Sequence, residues 1–399
     1  MPGPVRRRPA VPPGLMLPPI GRRSFVRGAL AGGLGLTVPG LLSACGTDPA
    51  VQSADTCRST DSSATDKSLV WSNWPGYIDK GKQTLLDFSD ETDIEVSYTP
   101  DINDNNEFFA KIQNQLGDCE PIGRDIIVLT DWMAARLVKL GWLQQLDHGN
   151  LANVHANLSP SLQGPDWDPK RDYSVPWQSG FTGIAYNAKY TGEVRSMSEL
   201  LTRPDLKGKV SLLLEMRDTM GFMLVVNGSD PASFDDQDWS DALATLEESV
   251  DSGQVRRFTG NDYVGDLDKG DLVACEAWSG DVIGMQAANP DIKWLVPEEG
   301  LMLWSDNMLV PNKADHKANA EKAMDYYYEP EVAARLAAWV NYICPVDGAR
   351  QAMEKIDPTL VDAPLIFPDE EILAQTHQFM ALDDATAKTY DTDFSQAVG

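Results

Sequence analysis

From residue 68 onward the apolar positions follow two rhythms. Short alternating or continuous apolar runs at 68–74, 94–99 and 125–129 predict strands. Between them, apolar residues three and four apart predict helices. The first covers 79–91, with Leu85, Leu86 and Phe88 facing inward. The second covers 105–116, with Phe108, Phe109, Ile112 and Leu116 inward, and the third covers 132–140, closed by Gly141. Strand and helix in alternation imply a largely parallel sheet covered by helices. The rhythm resumes with strands expected at 182–187, 209–214, 255–259, 273–278, 292–296 and 304–310. Helices are expected at 219–226, 238–252, 319–328 and 331–340. The pattern describes two α/β units, with 182–187 and 273–278 as candidate crossings between them.

Residues 1–44 follow neither rhythm. They hold six arginines and no acid, and the run from Gly28 to Ala44 is uncharged and rich in Gly, Ala and Leu. That run falls short of the roughly 20 apolar residues of a membrane span, and it fits the apolar core of an export signal. Arg22-Arg23-Ser24-Phe25-Val26 resembles a twin-arginine signal, with Gly21 where Ser or Thr is usual. Leu42-Ser43-Ala44-Cys45 resembles a bacterial lipobox, whose cysteine is lipidated and becomes the mature N-terminus. Residues 45–67 then read as the lipidated cysteine and a flexible Ser/Thr/Asp/Ala tether, able to reach ~70 Å when stretched. The expected location is the outer face of the cell membrane, with Cys45 as the membrane anchor.

A chain of 399 residues exceeds one hydrophobic core. Its 60 acidic and 33 basic residues give a net charge of −27. Such a chain repels phosphate backbones, which argues against a nucleic-acid partner, and it attracts cations. Cys57, Cys119, Cys275 and Cys344 would meet an oxidising compartment after export. Four cysteines allow three pairings, and spacing alone does not choose. Cys57–Cys119 with Cys275–Cys344 is the favoured expectation. No Cys-x-x-Cys, Gly-x-Ser-x-Gly, phosphate-binding loop or His-Glu-x-x-His occurs, and the four histidines (148, 155, 316, 377) show no metal-ligand spacing on a helix. No enzyme, metal or cofactor is expected.

Aromatic and acidic residues recur together at segment ends. They are Trp71-Ser72-Asn73-Trp74-Pro75-Gly76-Tyr77, Thr130-Asp131-Trp132, Glu215-Met216-Arg217-Asp218, Trp278-Ser279-Gly280-Asp281 and Trp304-Ser305-Asp306. In α/β sheets, ligands sit beyond the carboxyl ends of strands. Carboxylates there supply charge-assisted hydrogen bonds to an ammonium, and indole faces supply cation–π attraction. A lone Trp is usually core and a lone Asp usually a helix cap; five such segments together point to an organic cation.

These segments resemble the periplasmic spermidine/putrescine-binding proteins of ABC transporters. The resemblance runs in order from about residue 68 to 399 and includes Lys207-Gly208-Lys209, Val296-Pro297-Glu298-Glu299-Gly300 and Tyr342-Ile343-Cys344-Pro345. It implies a two-lobe, hinged periplasmic-binding-protein fold (type II-like) with the ligand in the interlobe cleft. Lobe 1 would comprise 68–181 and 305–350, and lobe 2 would comprise 182–304 and 351–399. The implied ligand contacts are Trp74, Tyr77, Thr130, Asp131, Glu215, Asp218, Trp278, Asp281, Trp304, Asp306 and Tyr342. Gly76 stands where the family often has an acid. The implied partners are putrescine or spermidine, a membrane permease and its ATPase, with the binding protein a monomer.

Other readings are weaker. The same fold could take another organic cation, an aminophosphonate or a sugar. A secreted hydrolase could use Glu215 and Asp218, but acid/base pairs usually come from separate segments. Tyr326-Tyr327-Tyr328 cannot share one helix face, so it reads as packing rather than an iron site. Arg217 could clamp a ligand but is expected rather to pair with nearby acids, and Glu276 shares a strand face with Trp278, where it could reach the cleft or neutralise a neighbour.

Overall fold

The computed structural model describes Cys57 and residues 59–399. The export signal, Cys45 and most of the tether lie outside the described residues.

Among the described residues, ten strands form one sheet: β1 Ser68–Ser72, β2 Glu95–Thr99, β3 Ile126–Thr130, β4 Ser174–Asn187, β5 Val210–Leu213, β6 Val255–Thr259, β7 Ala274–Trp278, β8 Ile292–Leu295, β9 Leu301–Leu309 and β10 Thr376–His377. The main order is β2-β1-β3-β9-β4-β7-β5-β6, with β8 on β4 and β10 on β9. Each flank is parallel, as the strand–helix alternation predicts, while β9 and β4 run antiparallel to their flanking strands.

The two central strands join the halves of the sheet. β4 has 14 residues, about 46 Å of extended chain. Its start, Ser174–Pro176, pairs with the end of β9, and its Thr182–Tyr186 stretch pairs with β7. β9 meets β3 at one end and β10 at the other. The crossing strands are therefore β4 and β9. The strand expected at 273–278 does not cross: β7 lies between β4 and β5, inside the second half.

Local expectations meet the structure with a few corrections. The helix Asn105–Gly117 buries Phe108, Phe109, Ile112 and Leu116 and is capped by Asp104, whose side chain accepts from Glu107 N–H. The helix Asp131–Leu140 ends at Gly141 with φ 68°, the left-handed stop that favours glycine. The helix expected from residue 79 begins at Gln83, after a 3-10 turn at Lys80–Lys82. There Asp79 accepts from Gln83 N–H at 2.6 Å. Leu85 and Phe88 are buried, but Leu86 is 53% exposed, because one step along a helix turns about 100° away from the buried stripe.

The boundary expected at residue 351 falls inside the helix Ala349–Ile356. Its Ala352 and Met353, and then Ile366, belong to the core around β1 and β3. The chain reaches the second core, around Met220 and Leu246, only near Phe379, and stays there through Phe394.

Cys57 and Cys119 form a disulfide across 62 residues of sequence. Cys275 and Cys344 are free thiols, which corrects the second expected pair. Cys275 is fixed inside β7 between Ala185 and Ser211. Cys344 lies outside the strands, and its N–H donates to Ile366 O. Replacing both Cys57 and Cys119 by Ser should lower unfolding free energy by about 2–4 kcal/mol, the usual effect of opening a long loop. A urea titration of the double variant checks this; an unchanged midpoint would refute it.

Candidate functional site

The ends of β1, β3, β5 and β7 and the middle of β9 converge on one cavity of about 820 Å³. Ten of the eleven expected ligand residues line it: Trp74, Tyr77, Thr130, Asp131, Glu215, Asp218, Trp278, Trp304, Asp306 and Tyr342.

Asp306 is the hub. The β3–β9 register sets it opposite Thr130. Thr130 donates its hydroxyl to Asp306 Oδ1 at 2.8 Å, and Tyr77 donates to Oδ2 at 2.9 Å. Burial pushes this carboxyl up to about 7, against the pull of those two donors; Asp131 and Asp218 add repulsion. Asn105, at the start of its helix, donates from one amide nitrogen to Thr130 Oγ1 at 2.9 Å and to Glu215 Oε2 at 2.8 Å. It thereby ties β3 to the far half of the sheet.

Glu215 precedes the helix Met216–Val226, and Asp218 lies in its first turn. Burial raises Glu215 well above the ordinary carboxylate range, reinforced by Asp104 and Asp218. Burial lifts Asp218 to about 6, offset chiefly by the Trp278 indole, which donates to Asp218 Oδ2 at 3.0 Å. Behind it, fully buried Glu276 rises to about 8 through burial and then through Asp218. Glu276 accepts from Leu213 N–H at 3.0 Å and Thr219 Oγ1 at 2.7 Å. It belongs to the support of the site.

The aromatic wall is an edge-to-face chain. Ring centroids lie 5.9 Å apart for Trp74–Trp278, 6.4 Å for Trp278–Trp304, 5.4 Å for Trp304–Tyr342 and 5.1 Å for Tyr342–Tyr77. Such contacts fix ring directions. Trp74 is held by donating to Val128 O at 3.0 Å, and Trp304 by donating to Thr182 Oγ1 at 3.0 Å. Gly180 makes room for this wall: a Cβ there would stand 2.4 Å from Trp304 and 2.8 Å from Tyr342.

Two expected acids behave differently from Asp306. Asp281 does not line the cavity. Its carboxylate accepts from Asn261 at 2.8 Å, Tyr263 at 2.9 Å and Tyr342 at 3.1 Å, so it positions the cleft tyrosine. Asp131 lines the cavity but accepts from Asn307 at 2.6 Å. Burial raises it to about 6, against Asn307 and Arg171.

Asn105, Trp132 and Arg217 also line the cavity; the sequence reading had Trp132 and Arg217 in the segments it gathered at strand ends but not among the ligand contacts, and it missed Asn105. Arg217 was expected to pair with nearby acids: the charges of Glu215, Asp391 and Asp218 act on it against its burial, and its guanidinium also lies 3.6 Å over the Trp132 ring. The position of Trp132 beside Thr130 was a visible signal, whereas Asn105 reads only as a helix start. Tyr327 and Tyr328 are packed as expected, Tyr328 donating to Pro176 O at 2.8 Å.

Among the described residues, no cluster of His, Cys, Asp or Glu is set to hold a metal, and no helix is long and apolar enough to cross a membrane. The arrangement offers buried carboxyl oxygens between aromatic faces, which suits an organic ammonium.

Known proteins place this geometry in a family. The bacterial extracellular solute-binding protein profile matches residues 83–368. The spermidine/putrescine-binding periplasmic protein 1 of Haemophilus influenzae is 27% identical over 343 residues, covering 85% of this chain and 90% of that protein. A putrescine-binding periplasmic protein of Escherichia coli is 27% identical over 333 residues, covering 78% and 86%. A solved Listeria monocytogenes structure, ascribed to spermidine/putrescine ABC transport, superposes with a TM-score of 0.73 at 25% identity, covering 83% and 99%. The mixed α/β architecture is that of periplasmic binding proteins. With the profile matched across most of the folded chain, this protein belongs to the bacterial extracellular solute-binding family, a family of binders rather than enzymes.

Proposed function

We propose that this protein is the polyamine-binding subunit of an ABC importer, held at the outer face of the cell membrane by a lipidated Cys45 and acting as a monomer. The carrying observation is the set of buried carboxyl groups, Glu215, Asp218 and Asp306, surrounded by Trp74, Trp278, Trp304 and Tyr342. The names of the relatives point the same way.

In this reading Asp306 anchors one ammonium, with Thr130 and Tyr77 holding its oxygens in place. Glu215 and Asp218 take another amine, and the indoles cover the methylene chain. Excluding water strengthens each ion pair. The loaded protein is then handed to a permease driven by a cytoplasmic ATPase.

Three outcomes test the proposal. Calorimetric titration of putrescine and spermidine should give one-to-one binding, and Asp306→Asn should weaken it by about tenfold or more, since charge-assisted hydrogen bonds are worth about 1.5–3 kcal/mol. Unchanged affinity in that variant would overturn the assignment of Asp306.

Acidification should weaken binding, because an ammonium needs the ionised carboxylate, and Asp306 and Asp218 keep their protons up to about 7 and about 6. Affinity should fall by about tenfold or more between pH 8 and pH 5.5. The ligand-free protein should show the opposite trend. A carboxyl raised from 3.8 to about 7 stabilises the fold fully below 3.8, and that contribution is lost as pH rises through about 7. Thermal melts with and without putrescine across this range check both signs.

Finally, Cys45→Ser should move the protein from the membrane to the soluble fraction of fractionated cells. Retention in the membrane pellet would show that Cys45 is not the anchor.

A further inference from the structure

The cavity is larger than a simple polyamine needs. Its volume is about 820 Å³, whereas the ten heavy atoms of spermidine need about 300 Å³ at roughly 30 Å³ per water-sized group. The lining also changes character. One arm is the acidic, aromatic site described above. The rest of the lining, taken together as a second arm, includes Trp132, Trp167, Cys344, Phe367, Leu373 and Phe379. Ser159 N–H donates to Pro345 O at 2.9 Å and Cys344 N–H to Ile366 O at 3.1 Å. Arg217 lies 3.6 Å from the Trp132 ring centroid and 5.8 Å from that of Phe379.

The second arm is a poor place for another ammonium. The carboxylates added by its rim, Asp166 and Asp347, are exposed to water. Its buried cation, Arg171, is already engaged with Ser174 at 3.0 Å and Asn307 at 2.9 Å. The unpartnered atoms differ between the arms. In the acidic arm the orphans are acceptors, Glu215 Oε1 and Asn261 Oδ1; in the second arm they are donors, Trp132 Nε1 and Arg217 Nη1, the latter on a guanidinium whose charge Glu215 already offsets. A protonated polyamine only donates. It can serve Glu215 but neither donor, and each buried polar group left unpaired is costly. A carbonyl oxygen can accept from them.

We propose that the second arm is a subsite for an acyl group, and that the ligand class is a polyamine acylated at one end. The free ammonium sits in the acidic arm, the amide carbonyl faces Trp132 and Arg217, and the acyl body lies against Trp167 and Phe367. This rests on the polyamine reading above.

Calorimetric titration of the full-length chain with putrescine, spermine and N-benzoylputrescine tests it. N-benzoylputrescine should bind about tenfold or more tighter than putrescine, as burial of one aromatic ring permits. Trp167→Ala should remove that gain and leave putrescine binding unchanged. Leu373→Gln, at a rim residue 41% exposed, should reduce the gain without touching the core. If putrescine or spermine binds and N-benzoylputrescine binds no tighter than putrescine, the acyl subsite is overturned while the polyamine reading stands. If neither these three amines nor spermidine binds the folded protein, both are overturned.

Discussion

Glu215, Asp218, Glu276 and Asp306 are carboxyl groups held away from water in one region of the fold. Burying an ionised carboxylate costs several kcal/mol unless donors replace its hydration. The donors here come from segments far apart in sequence: Tyr77 after β1, Thr130 at the end of β3, Asn105 at a helix start and Trp278 at the end of β7. None of these segments could solvate a carboxylate alone. The sheet order brings them together, with β9 between β3 and β4 and β7 on the other side of β4. The fold is thus a way of gathering enough donors to keep acids inside, but not enough to fix their charge. Asp218 and Asp306 remain near the point where a proton and an ammonium can exchange.

Glu276 shows the same physics behind the cavity rather than in its lining. It is deeper than Asp218, and its donors, Leu213 N–H and the Thr219 hydroxyl, do not offset its burial, which raises it and favours the neutral form. A second full charge behind Asp218 would repel it. The neutral carboxyl instead leaves Asp218 free to ionise toward the cavity.

Much of this was legible in the sequence, and the limits have physical causes. Local patterning identified β1 to β3 and their helices because each buries one face on neighbours close in sequence. It shortened β4, since Pro176, Gln178, Ser179 and Gly180 look like a loop. Only pairing with β9, more than a hundred residues away, makes them a strand. It left the helices Ser279–Ala288, Ala349–Ile356 and Asp384–Val398 unassigned. Ser279–Ala288 carries glycines at 280 and 284, and propensity there yields to tertiary packing. Gly280 is needed where it stands, because a Cβ would come within 2.5 Å of Tyr342 and of Val340 O. The candidate site was visible as residue types at strand ends. What sequence could not supply was direction: that Asp281 turns to Tyr263 and Tyr342, or that Arg217 lies on Trp132.

Charge acts at two ranges in this protein. The net −27 sets a field that is screened beyond about 8–10 Å at ordinary ionic strength. It concentrates every cation near the surface, magnesium and potassium included, and so cannot select among them. Selection begins where water is excluded. A small metal ion there would need several oxygens converging on one point. Asp306 and Glu215 are instead linked through Thr130 and Asn105, and indole rings occupy the space beside them. On the proposed reading, such a site suits a cation whose charge is carried on an apolar chain, which meets both the carboxyl oxygens and the aromatic faces.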